Sequence, residues 1–137
     1  MGQQQILLIV LGIILVGIAI VIGMTIFRTQ TTQSNVDAII MDMNNLGAMA
    51  YQYRMRFSDR ETGAVSYEGF DDYFLTLPEG MRNNPNAIYT IHDLEPDLVI
   101  FQGESKTQME NDELVKRWLS IDEDGKFVVY TQDPLID

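Results

Sequence analysis

From Ile6 to Phe27 the chain reads ILLIVLGIILVGIAIVIGMTIF, twenty-two residues of which only Thr25 is polar, and no ionisable side chain occurs before Arg28. About 20 such residues form a helix long enough to cross a hydrocarbon layer of ~30 Å. A run like this is compatible with water only if it is buried in lipid or against other apolar helices. It is longer than the core of a secretory leader, typically about 7–15 residues. No basic region precedes it, and no small-x-small cleavage site ends it before Arg28. The segment is therefore expected to belong to the working protein.

The rest of the chain has the opposite character. The 137 residues amount to one domain, and the whole formal charge of −11 falls on residues 28–137. Such an acidic surface repels nucleic acid and anionic membranes, so nucleic-acid binding is not expected. The absence of cysteine removes disulfides, thiolate metal sites and cysteine nucleophiles. A head of roughly 80 residues without staples has a marginal core and gains from packing on a helix of its own chain.

Gly12, Gly17 and Gly23 interrupt the apolar run. Each costs a helix roughly 1 kcal/mol in water, but glycine also lets packed helices approach closely. Ala19 and Gly23 make one small-xxx-small pair. Beyond the polar stretch TQTTQSN, Val36, Ile39, Ile40, Met43, Leu46, Gly47, Ala50 and Tyr51 recur at the spacing of one helical stripe. No proline precedes Pro78. A single helix from about Gln3 to Phe57 follows, about 80 Å long at ~1.5 Å per residue. Residues 1–27 form its apolar half and 28–57 its amphipathic half.

Residues 58–137 read as an acidic, β-rich head. SDRETGAVSYEG is a loop punctuated by Gly63 and Gly69; FDDYFLTLP is a short helix or an irregular segment, and MRNNPN a turn. Short apolar runs then arrive at strand spacing: Ala87–His92, Leu98–Phe101, Leu114–Ile121 and Lys126–Thr131. Glu95-Pro96-Asp97 is a turn between the first two, and a charged loop separates the second from the third. The piece around Trp118 also fits a helical face. It is assigned as a strand because the Asp122-Glu123-Asp124-Gly125 turn needs a partner for KFVVYT. The expected fold is α+β: a long N-terminal helix with a small antiparallel sheet packed on its distal half.

Candidate chemistry is sparse. His92 is the only histidine and reads as a strand residue near the rim, with no triad or metal pair in prospect. Asp122, Glu123 and Asp124 could offer oxygen ligands to calcium, with Asp122 and Asp124 the candidates, but the EF-hand spacing is absent and a solvated acidic turn is the plainer reading. Glu110, Asp112 and Glu113 form a second acidic loop. Tyr51, Tyr53 and Phe57 read as the contact between helix and sheet. Neither a phosphate loop nor an H-E-x-x-H motif occurs. No catalytic residue and no cofactor are assigned.

With these pieces in place the chain resembles the type IV pilins and pseudopilins, built from one long N-terminal helix and an antiparallel sheet on its distal half. It is most similar to short bacterial pilin-like proteins that begin MGQQQ, continue as an apolar run and reach an AYQYR-type segment, here Ala50–Arg54. The resemblance implies a helical homopolymer whose N-terminal helices bundle in the core while the heads face outwards. The assembly face would then comprise Gln5, Ile9, Gly12, Ile13, Gly17, Ala19, Ile20, Gly23 and Phe27. It also implies residence in the inner membrane before assembly, a dedicated pilus assembly machinery as partner, and a final place in an extracellular filament. Two departures stand out. The usual glutamate at the fifth position is Gln5, or Leu7 if cleavage follows Gly2, and the helix-breaking proline of many pilins is missing. The alternatives are a pseudopilin of a secretion machine and a single-pass anchored accessory protein.

Overall fold

A computed structural model describes residues 2–56, 65–110 and 113–136. The chain is α+β: helix α1 (Gln3–Arg56), short helices α2 (Phe70–Thr76) and α3 (Glu79–Arg82), and strands β1 (Ala87–Glu95), β2 (Leu98–Glu110), β3 (Glu113–Ile121) and β4 (Phe127–Tyr130). The four strands form one antiparallel meander in the order β1-β2-β3-β4. By compactness the chain divides into two units, Met1–Ser34 and Asn35–Asp137. The second half of α1 belongs with the sheet because its stripe is buried there, so the compact head begins well before residue 58.

Within that head, Val36, Ile39, Met43, Leu46, Gly47, Ala50 and Arg54 of α1 are buried. They recur every three or four residues, so a single face of the helix meets the sheet. Opposite them lie Tyr89 of β1, Val99 and Phe101 of β2, and Leu119 and Ile121 of β3, alternate residues that the pleat points to one side. Two glycines set the closeness of this contact. A Cβ on Gly103 would stand 2.8 Å from Met43 Sδ and 2.9 Å from Ile39 Cγ2, and one on Gly47 would stand 2.8 Å from Phe127 Cε1.

Several expectations are corrected. The charged stretch after Phe101 is not a loop. β2 runs on to Glu110, and Glu110 pairs with Glu113 across the hairpin, so two of the three residues of the second acidic loop are strand residues; Asp112 lies outside the described residues. Glu95 belongs to β1 and pairs with Leu98, which leaves only Pro96 and Asp97 in the turn. MRNNPN is not wholly a turn, since α3 takes in Met81 and Arg82 and Asn83 then bridges to Ile88. β4 is largely exposed, because it is the edge strand and α1 reaches it mainly through Gly47. Tyr53 packs on α2, with its ring 5.5 Å from that of Phe70 and 5.1 Å from that of Tyr73, and Tyr51 packs on Gly125, so neither is a simple helix-to-strand contact. Phe57 and most of the loop before α2, including Gly63, lie outside the described residues.

The strand containing Trp118 and the Asp-Gly hairpin form as the sequence indicates. Ile121 pairs with Phe127 and Trp118 with Tyr130, while Gly125 takes the left-handed φ of +80° that the turn requires.

Candidate functional site: an uncharged helical arm

The largest unusual surface is the first half of α1. From Ile6 to Phe27 every large apolar side chain is between 47% and 70% exposed, whereas six residues of the second half are at most 8% exposed. The helix satisfies its own backbone along this arm. Thr25, Thr29 and Thr31 donate their hydroxyls to the carbonyls of Val21, Thr25 and Phe27, at 2.9, 3.0 and 2.9 Å. These threonines therefore present methyl groups outward, and their hydroxyls need no water. The arm is long and apolar enough to cross a membrane.

All nine residues assigned to assembly are exposed and lie on α1. At 3.6 residues per turn, Gln5, Gly12, Ala19 and Gly23 fall within a strip of about 40°; Ile9, Ile13, Ile20, Phe27 and Gly17 extend it to an arc of about 160°. An added Cβ at Gly12, Gly17 or Gly23 meets nothing within 4 Å. The remaining arc carries Leu7, Leu11, Ile14, Ile18, Val21 and Ile22, also exposed. A helix apolar on every side is stable only when covered on every side, by lipid or by other helices.

The head holds three polar clusters, each tied into the fold. Arg54, 8% exposed, closes the end of α1. Its guanidinium donates to the carbonyls of Glu123 and Val65, reaches Asp97 Oδ1 at 3.4 Å and stacks 5.2 Å from the centre of the Tyr67 ring. One cation thus ties three connections to the helix. Tyr67 in turn donates to the Asp122 carbonyl at 2.7 Å, and burial pushes its phenol up to about 12. A second cluster joins Asp42 Oδ2 to the Tyr89 hydroxyl at 2.6 Å and to Asn84 Nδ2 at 3.0 Å. Burial, with the hydrogen bond to Asp42, raises the Tyr89 phenol strongly.

The third cluster is built on His92, a residue of the edge strand β1. It sits at a β-bulge in β1, where its Nε2 lies 2.9 Å from Asp133 Oδ1 and its ring stands edge-on to Trp118. Asp133 also accepts from the Leu135 amide at 2.9 Å; that bond and then His92 hold its carboxyl below the usual range. The C-terminal segment is thereby pinned to the opposite edge strand. On this outer side of the sheet Trp118, Ile100 and Ser120 are buried.

The two calcium candidates are placed in the β3–β4 turn, where Asp122 is engaged within it. Its Oδ1 accepts from the amides of Asp124 and Lys126, at 3.0 and 2.9 Å. Among the described residues no group of three or more histidine, cysteine, aspartate or glutamate side chains could hold a metal ion. Sequence reasoning includes Arg54 only as the end of the Ala50–Arg54 segment and assigns it no structural role. The available signal was its position four residues beyond Ala50, in register with the buried stripe.

Comparison with protein families, with curated proteins and with solved structures returned no match.

Proposed function

We propose that this protein is the structural subunit of a pilus-like filament, held together by bundling of its apolar N-terminal helices, with the acidic head as an outward coat that carries no catalytic centre. The observation that carries this reading is the arm: an uncharged helix from Ile6 to Phe27, exposed on all sides. Burying its side chains at ~25 cal/mol per Å² of apolar area is ample to hold subunits together. The glycines support helix against helix over helix against lipid, because close backbone approach is what they permit. That α1 belongs at one end to the arm and at the other to the head core also supports it, since a simple anchor works as well through a flexible linker. The resemblance to type IV pilins points the same way. On this reading the arm lies in the inner membrane before assembly and in the filament core afterwards. Gln5 then brings a neutral amide where a carboxylate would otherwise face a neighbour's terminal amine.

A charge in the middle of the arm tests the reading. Gly17→Asp places a carboxylate in a segment where burial of an acid costs about 2.5–3.5 kcal/mol on insertion scales. Filaments should be absent from sheared cell-surface material, while the head melts at the wild-type temperature. Normal filaments from that variant would refute the proposal.

A further inference from the structure

We propose that neighbouring heads meet edge to edge, with β4 of one copy against the β1 edge of the next; the inference rests on the filament reading above. Edge strands present unpaired backbone groups and are usually guarded by charge, bulges or cover. The two edges of this sheet differ in that respect. Along β1, Asn83 bridges to Ile88, the strand bulges at His92, and Asp93 and Glu95 line the far half. β4 has no guard. Phe127–Tyr130 carries no charge, Phe127, Val128 and Val129 are 41%, 37% and 40% exposed, and among the described residues no strand covers its outer edge.

The occupant follows from charge and topology. Each chain carries −11, so heads repel wherever acidic surfaces face one another. The β4 edge is uncharged and is preceded by the exposed cation Lys126, whereas the β1 edge is acidic at Asp93 and Glu95. With four antiparallel strands, β4 runs opposite to β1, so a second sheet set beside the first continues the antiparallel alternation. The levels also match. Through the registers of β2 and β3, Phe127 stands level with Leu94 and Tyr130 with Thr90. Placed side by side, Lys126 comes opposite Glu95 of the next copy, and the Asn83 bridge at Ile88 lies beyond the reach of β4. Such a head-to-tail contact, repeated by one rotation and translation, generates a helix of subunits with all chains pointing the same way.

The chain has no cysteine, which makes the test direct. The full-length double variant Lys126→Cys, Glu95→Cys is oxidised in intact cells, and both the membrane fraction and sheared surface material are run on a non-reducing gel. The two positions lie at opposite edges of one sheet, about 14 Å or more apart at ~4.8 Å per strand spacing, too far for a bond within one chain. A ladder of dimers, trimers and higher multimers is expected, with none from either single variant. Bands that stop at the dimer, adducts with a different protein, or no crosslink in either fraction would overturn the contact. A ladder in the membrane fraction without filaments would uphold the contact while the filament reading fails. Filaments without a ladder would do the reverse. In the uncrosslinked background, Lys126→Glu should shear filaments into shorter pieces and Lys126→Glu with Glu95→Lys should restore their length; failure of the restoration also counts against the contact.

Discussion

The two halves of α1 share one backbone geometry and differ almost wholly in how their side chains are distributed around the axis. In the arm, leucine, isoleucine and valine occupy every direction, and all stay exposed in the isolated chain. In the head, the buried apolar residues form one stripe, which the sheet covers, while Asp37 and Asn45 face outwards and Met41 is an apolar residue off the stripe. Helix formation and helix burial are thus separate matters here. The head's half is stabilised by the chain it belongs to, and the arm's half calls for cover supplied from outside.

The comparison breaks first if the two halves fail together. Gly17→Asp should abolish assembly and leave head stability untouched, whereas Phe101→Ala should do the opposite at the level of the single chain. Loss of that fully buried ring costs ~3–5 kcal/mol, comparable to the whole stability of a head this small. Chemical denaturation of the solubilised protein, followed by the fluorescence of Trp118, reads the second effect.

A finer contrast uses one substitution in two places. Gly103→Ala forces a methyl group against Met43 and Ile39 and should destabilise the head by ~1–3 kcal/mol. Gly12→Ala meets nothing within 4 Å and should leave the head's melting temperature unchanged. Equal losses from both would mean that the arm is packed within its own chain.

The third contrast is titration. Tyr67 and Tyr89 both have phenols raised above the ordinary value near 10, chiefly by burial. The folded head therefore holds these protons more tightly than the unfolded chain. The contribution of Tyr67 is fully present below about pH 10 and is lost as pH rises through about 12, while that of Tyr89, whose phenol is raised further, persists to higher pH. Residues 1–27 have no titratable side chain. Alkali should accordingly unfold the heads, seen as loss of Trp118 signal with appearance of tyrosinate absorbance, before it separates the bundled arms. Tyr67→Phe should move the alkaline transition. The smallest effect is expected at the β3–β4 turn. Asp122→Asn keeps the oxygen that accepts the two turn amides, so with Asp124→Asn it should change stability by less than about 1 kcal/mol and confer or remove no calcium response.

How much of this was legible in the sequence depended on whether burial left a pattern. The extent of α1, the Trp118 strand and the Asp-Gly hairpin were readable because periodicity and turn chemistry agree there. The sequence reading ends β2 at Phe101 because the positions its continuation buries are Gly103 and Ser105, so no large apolar alternation marks it. Gly103 lies in that continuation, and a side chain there would collide with Met43 and Ile39 of α1. For Arg54 only its register with the buried stripe is visible in the sequence, and nothing local announces that three distant connections converge on it. The tie between His92 and Asp133 spans 41 residues and has no local signature either. The nine assembly residues are exposed, as is the rest of the arm.

The most direct measurement is a helical reconstruction of filaments sheared from cells that express the unaltered chain. The account predicts a core of packed α1 segments from Ile6 to Phe27, continuous helix through Gly12, Gly17 and Gly23, and acidic heads on the outside. Chains that remain singly embedded in the membrane with no filament, or a filament whose core is built from the heads, would contradict it.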